Sequence, residues 1–369
     1  GDGPGFGIPQ SMYDEIQNYP VGGGDGAVNA IDPNFELPSE WKYALGGTYT
    51  FENDVIVAVD VLHNQKKDTA TIKDYAIQRT GEQSFDGRPL YENKEGWRTG
   101  DFVLTNSDQD GKSTILSFGV NKSFDFGLDA TFGYSYTNSE DANPMTSAVA
   151  GSNYGNLATT DAINPAIATS DYEIPHRFTM ALNYNVELID SLNTRISLFG
   201  QSSAGRPYSY TFDSSDRGYG DNNWNGSRQL LYVPAENDPN VVYADGFDKA
   251  AFDAFVESEG LARGQIQGRN AHNADWWTTF DLKLTQELPG LSADHRGSAF
   301  IIVKNIGNML NDDWGVMSKG SFVGNRMVEV SSNDAGQYVF EEFNDGNQEQ
   351  DIQNKPSLWE IRVGVSYSF

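Results

Sequence analysis

Asp221-Asn-Asn-Trp-Asn-Gly226 has the spacing that opens a calcium loop, D-x-[DN]-x-[DN]-G, where alternate side-chain oxygens converge on the ion and Gly permits the sharp bend. Asp221, Asn223 and Asn225 could hold Ca²⁺ with a carboxylate from elsewhere in the acidic segment. The twelfth position is Tyr232, so the bidentate Glu of a complete EF-hand is missing. An ordinary Asn/Gly-rich turn of the same composition would bind nothing. The four histidines, His63, His176, His272 and His295, show no H-x-x-x-H or H-E-x-x-H spacing, which leaves a zinc hydrolase without support. Cysteine is absent, which closes disulfide, thiolate-metal and Cys-nucleophile chemistry. Neither a G-x-S-x-G elbow nor a G-x-x-x-x-G-K-[ST] phosphate loop occurs. The chain reads as a non-enzyme, with no cofactor required beyond Ca²⁺ at that loop. An active site assembled from distant side chains leaves no pattern to read, and would show as an Asp/His or Ser/His cluster.

The charge balance narrows the partners. Of 369 residues, 25 are Lys or Arg and 52 are Asp or Glu, a formal net charge of −27. Neutralising phosphates needs the opposite sign, so no nucleic acid is expected. Aromatics at 12% and 38 glycines exclude a disordered acidic tail, which would be aromatic-poor. The acids are concentrated: residues 207–259 hold ten acids and three bases, and 334–351 hold six acids and no base. An acidic exterior of this kind would discourage anionic cargo and favour cations or calcium bridging.

The elements that must carry these segments follow from period-two alternation. At the C-terminus Trp359, Ile361, Val363, Val365, Tyr367 and Phe369 alternate with Glu360, Arg362, Gly364, Ser366 and Ser368, which a strand sorts onto opposite faces. Similar strands are predicted over 41–51, 54–65, 112–123, 126–137, 177–187, 192–203, 275–288 and 297–307, nine in all with the last. They exceed the five or six residues usual in soluble sheets and match the nine to eleven of a tilted transmembrane strand. Their polar set, including Asp129, Arg177, Asn183, Glu187, Arg195, Gln201, Asp281 and Lys283, would face a lumen, and aromatics gather near strand ends. Apolar runs stop at about five residues, as in Val55–Val59, so no membrane-spanning helix is expected.

Short links at 52–53, 123–125, 188–191 and 289–296 alternate with long ones at 66–111, 138–176, 204–274 and 308–357. Outer-membrane barrels join strands by short periplasmic turns and long extracellular loops. The expectation is an all-β transmembrane antiparallel β-barrel with its C-terminus periplasmic. Residues 1–40 would form an extracellular loop segment and 41–369 the C-terminal part of the barrel. Single-chain bacterial barrels hold an even number of strands and close on themselves, so the remaining strands are expected upstream or from other chains. Gly1-Asp-Gly-Pro-Gly5 shows no secretory signal, which fits removal or a longer parent. Within 204–274, Phe247 to Gly260 places apolar residues at 247, 251, 255 and 256 ahead of a stopping Gly260, the pattern of a short amphipathic helix packing the loop.

Two resemblances sharpen this. Arg362-x-Gly364-x-x-Tyr367-x-Phe369 resembles the C-terminal signal read by the barrel-assembly machinery. Further segments are Ile31-Asp-Pro-Asn-Phe35 with Pro38-Ser-x-Trp41-Lys42, Gly87-Arg-Pro-Leu-Tyr91, Ile174-Pro-His-Arg-Phe178, Ser203-Ala-Gly-Arg-Pro-Tyr-Ser-Tyr210, Leu230-Leu-Tyr-Val-Pro234, Gly268-Arg-Asn270 and Val303-Lys-Asn-Ile-Gly-Asn-Met-Leu-Asn311 with Trp314-Gly315. In this order they resemble the C-terminal barrel portion of TonB-dependent outer-membrane receptors of the Oar-like, OmpA-related branch. The resemblance implies the last nine strands of a 22-stranded barrel, with thirteen strands, a plug and the TonB box upstream. It implies uptake of an unidentified substrate with TonB-derived energy, at the bacterial outer membrane among lipid and lipopolysaccharide. The alternative is a passive porin-like or structural, adhesive barrel acting through its extracellular loops.

Overall fold

The computed structural model describes residues 28–94, 100–213, 227–292, 295–348 and 350–369, together with Ser11 and Asp14. The chain is all-β in character: 53% of the described residues are strand, and among them no helix is long and apolar enough to cross a membrane. The nine long strands are β1 (Ser39–Thr50), β2 (Ile56–Lys67), β3 (Lys112–Ser123), β4 (Leu128–Asp141), β5 (His176–Ile189), β6 (Leu192–Ser203), β7 (Trp277–Pro289), β8 (Arg296–Lys304) and β9 (Glu360–Ser368). Each pairs antiparallel with its neighbour in sequence, giving one meander from β1 to β9. β1 and β9 are its two edges, each paired on one side only, and among the described residues they do not pair with each other.

The register keeps one kind of residue on each face. Val59 pairs with Phe118, Phe118 with Tyr134, Tyr134 with Phe178, and Met180 with both Phe132 and Gly200. Leu198 then pairs with Leu282, Leu282 with Val303 and Val303 with Ile361, which carries the apolar row to the far edge. The other face is largely polar: Asp129 opposes Asn183, Asn185 opposes Arg195, and Gln201 opposes Thr279. None of the buried hydrophobic residues belongs to these nine strands, whereas Leu45, Val363 and Val365 are each more than 75% exposed. Burial elsewhere is what drives folding of a soluble sheet, so this apolar face is one that the chain itself does not cover.

Strand ends differ in detail from the sequence pattern. β4 runs on to Asp141, where it pairs with Ala168, rather than ending near 137. β8 stops at Lys304 rather than continuing to 307, because Asn305 turns left-handed (φ 47°) and a short helix, Ile306–Leu310, follows. Asn305 is locked there: its N–H donates to Asp281 Oδ1 at 2.8 Å and its Nδ2 to the carbonyls of Gly315 and Ser357.

Residues 51–55, 124–127 and 190–191 make tight turns at one end of the sheet, where the short link between β7 and β8 also lies. At the other end the described residues of the long connections 68–111, 142–175, 204–276 and 305–359 fold together into a cap with its own cores. Its main sheet has four strands in the order Tyr210–Asp213, Asn325–Ser332, Tyr338–Phe343, Val241–Tyr243, whose first and last pairings are parallel. Helix α1 (Lys249–Ser258) lies where the sequence places it; Asp248 caps it by accepting from the Ala251 N–H, and Gly260 follows at φ 62°. It buries Phe252, Phe255 and Val256 against Phe340, Phe343 and Tyr210. Phe252, absent from the sequence pattern, is fully buried. A second core joins Ile72, Ile77, Tyr91 and Phe102 to Tyr154 and Ala162. Residues 29–31 add to the cap as a strand parallel to 102–104.

Candidate functional site in the loop cap

Three arginines fasten the loops together. The Arg88 guanidinium is fully buried: Nε donates to Asp86 Oδ2 at 2.9 Å, Nη2 to the Leu230 carbonyl at 2.5 Å, and the group sits 5.2 Å from the Phe212 ring centre. Arg228 donates to the Tyr154 carbonyl at 2.5 Å and stacks on the same residue's ring at 4.3 Å. Arg269 reaches the end of β4, where Nη2 donates to Asp141 Oδ1 at 3.1 Å and to the backbone carbonyl of Asp141, and Nη1 to the Ala142 carbonyl. Beside it Asn270, left-handed at φ 54°, donates from Nδ2 to Asp171 Oδ1 at 2.6 Å and to the Thr169 carbonyl. Buried cations hold their places only when carbonyls and carboxylates satisfy them, so each one ties specific loop positions together.

A smaller network sits on the second core. The Tyr91 hydroxyl donates to Asp161 Oδ1 at 2.6 Å and accepts from Arg79 Nε at 3.2 Å. Burial pushes this phenol up to about 12, because an ionised oxygen would lose its water next to Asp161. Tyr210 and Tyr232 are raised for the same reason, burial, reinforced by hydrogen bonds to Glu259 and Asp238 respectively, with Tyr208 also bonded to Tyr210. These tyrosines stay neutral donors. They are structural rather than reactive.

Between loops 142–175, 204–276 and 305–359 the cap leaves a cleft of about 200 Å³. Arg206, Arg269, Lys319 and Asp171 supply its charges, and Tyr172 and Phe322 stand at it with 58% and 67% of their surfaces exposed. Burial raises the Asp171 carboxyl, against the lowering pull of the Asn270 hydrogen bond and of Arg269. Among the described residues, neither the Arg206 guanidinium nor the Lys319 ammonium makes a hydrogen bond or an ion pair.

The residues singled out by sequence fall in three places. Asp221, Asn223 and Asn225 lie outside the described residues. The four C-terminal signal positions line β9 and the residue after it. Arg362 pairs with Glu360, and Gly364 faces Phe300, whose ring stands 2.5 Å from where a Cβ would be. Tyr367 Oη accepts from the Leu291 N–H at 2.9 Å and lies 2.8 Å from His295 Nδ1, tying the last strand to the last tight turn. Phe369 is 94% exposed. The histidines stay separate: His63 with Tyr43, His176 with Tyr134 and Trp276, His272 with Tyr208 and Tyr210, His295 with Tyr367. Sequence reading quoted Arg88, Arg206, Arg269 and Asn270 inside motifs without seeing that they fasten or line anything, and it missed Lys319.

Compared with known protein families and with curated proteins, the chain matches none.

Proposed function

We propose that this chain is the C-terminal barrel portion of a bacterial outer-membrane receptor of the TonB-dependent, Oar-like type, the long loops facing the cell exterior. The observation that carries the reading is the apolar face running across the nine strands, against which none of the described residues is folded. Aromatic belts flank that face. Near the cap His176 stacks with Trp276 at 6.2 Å and packs with Tyr136 at 5.4 Å; near the turns Tyr49 meets Phe51 at 4.8 Å and Phe126 meets Tyr184 at 6.5 Å. Ten positions separate Tyr136 from Phe126; at about 3.3 Å each and a strand tilt of 35–45°, that is roughly 25 Å, the height of a barrel's apolar band. Lipid acyl chains and lipopolysaccharide would cover this face, and the strands missing from the open edges at β1 and β9 would come from the upstream part of the same receptor. The barrel-assembly machinery would read the β9 signal. An upstream plug and TonB box would supply energised uptake, and the cap would capture the substrate.

The cap's own core favours a second reading, a passive or adhesive barrel that presents a rigid surface. Folding the chain with and without outer-membrane lipid vesicles tests the first step: the strands should resist protease only with lipid, while the cap is cut from outside. Strands equally protected in plain buffer would reject the membrane reading. Loss of the energy transducer should then stop uptake but not capture by the receptor, and uptake unaffected by that loss would select the passive barrel.

A further inference from the structure

We propose that the cleft between Arg206 and Lys319 binds a small organic carboxylate. The cleft reverses the charge of its surroundings. The chain carries −27 overall, yet two cations line this one cavity, and apart from the charge interaction of Arg206 with Asp171 neither side chain has a hydrogen bond or ion pair among the described residues. Exposed Lys and Arg on an acidic surface ordinarily find a neighbouring carboxylate, and here the nearest acid on the wall, Asp171, is already held by Asn270 at 2.6 Å. A carboxylate here would run against the cationic cargo that the composition favours.

A third cation adds an independent sign of a missing partner. Arg269 is only 7% exposed, and its Nη atoms are engaged by Asp141 and backbone carbonyls, but its Nε is buried without any acceptor. A buried unpaired donor costs about 1–3 kcal/mol, and this one belongs to a residue that lines the cleft. Val323, which also lines the cleft, is held at φ 74°, a conformation a β-branched residue rarely adopts, next in sequence to the exposed Phe322. Strain of that kind persists only where the surrounding structure holds the segment in place.

The charge count selects the ligand. Arg206 and Lys319 bring two positive charges; Arg269 is balanced by Asp141, and Asp171 removes one, so the cleft suits a monoanion better than a phosphate dianion. Arg206 presents a planar fork that a carboxylate matches with two parallel bonds. At about 200 Å³ the cavity is smaller than the ~300–1,000 Å³ of drug-sized sites, and Tyr172 and Phe322 offer faces for one ring or one side chain. A sugar acid and a peptide C-terminus share this chemistry.

The proposal stands on the cleft alone and does not depend on membrane insertion. Calorimetry on the full chain in detergent would compare D-galacturonate with its neutral methyl ester, and N-acetyl-trialanine with its C-terminal amide, with inorganic phosphate as a third probe. One acid should bind with its neutral form at least about tenfold weaker. Arg206→Gln and Lys319→Gln should each weaken it about tenfold at unchanged melting temperature, both side chains being at the surface. The acid that binds identifies the source as sugar or peptide. Absence of binding by either acid up to about 10 mM, equal binding of acid and neutral forms, tighter binding of phosphate, or wild-type affinity in both variants would overturn the assignment. Vesicle protection of the strands would survive any of these failures.

Discussion

The nine-stranded sheet and the cap are built from one composition yet invert each other. In the cap, Tyr210, Phe212, Phe252, Phe340 and Tyr338 are all at most 1% exposed and pack edge to face, while arginines satisfy the carbonyls around them. In the sheet, Phe132, Phe178 and Phe280 stand on a surface, and the polar partners Asn183, Ser197 and Thr279 occupy the opposite side. Water drives the first arrangement, by expelling apolar rings into a shared interior. The second leaves an apolar face open, which on the proposed reading lipid would cover. The difference teaches that the same alternating strand can be stable in either surrounding, and that only the location of the aromatic rings tells which one it was made for.

Arg88→Ala should produce the largest break. Arg88 and Asp86 have 0% and 1% of their side chains exposed, so removing the cation strands a buried carboxylate, at a cost of about 3–5 kcal/mol to the cap. Hydrogen exchange should accelerate across 204–276 and 305–359 while β1 to β9 keep their protection. Equal acceleration in both would show one cooperative unit and erase the distinction between cap and sheet.

Phe132→Arg attacks the sheet alone. At the middle of β4 on the apolar face, a cation should cost about 2–4 kcal/mol in folding into lipid vesicles, measured by denaturant titration, with no change in cap exchange. An unaltered midpoint would mean that the apolar face meets no lipid.

His272→Gln gives the smallest effect and a sign. Burial lowers the His272 pKa from its ordinary 6.5, with Glu259 pulling it partly back. The unfolded chain therefore takes up the proton first as pH falls. The contribution to stability is whole above about 6.5 and is lost as pH drops through the lowered folded value. Between about pH 7.5 and 5.5 the wild-type cap should lose melting temperature faster than the variant. Parallel slopes would show that His272 titrates normally.

The sheet was legible because its information is local. Trp359, Ile361, Val363 and Val365 declare a strand without reference to any other segment, and nine such runs with alternating link lengths dictate a meander. The boundary errors lie where a distant partner intervenes, as at Asn305, whose turn is set by Gly315 and Ser357. The cap was illegible for the same reason on a larger scale. Arg88 finds Leu230 across 142 positions, and nothing at Gly87-Arg-Pro-Leu-Tyr91 says so. Helix α1 is the exception, since its apolar spacing and its Asp248 and Gly260 ends are contained in fourteen consecutive residues, 247–260. The cleft carries no pattern at all: its cations come from three separate segments, and only Arg206 and Arg269 lie in stretches that sequence had quoted.

The parallel pairings in the cap bear on the order of events during folding. Tyr210–Asp213 aligns with Asn325–Ser332, and Val241–Tyr243 with Tyr338–Phe343, so neither pair can zip from a hairpin. Each must wait for chain ends about a hundred residues apart to meet, and loop-closure entropy makes such encounters slow unless something has already drawn the ends together. The antiparallel meander does that, strand by strand, and delivers all four long connections to one rim. The cap is thus expected to assemble last, and the hydrogen-exchange protection of its core is a clock that starts only when β1 to β9 are in register.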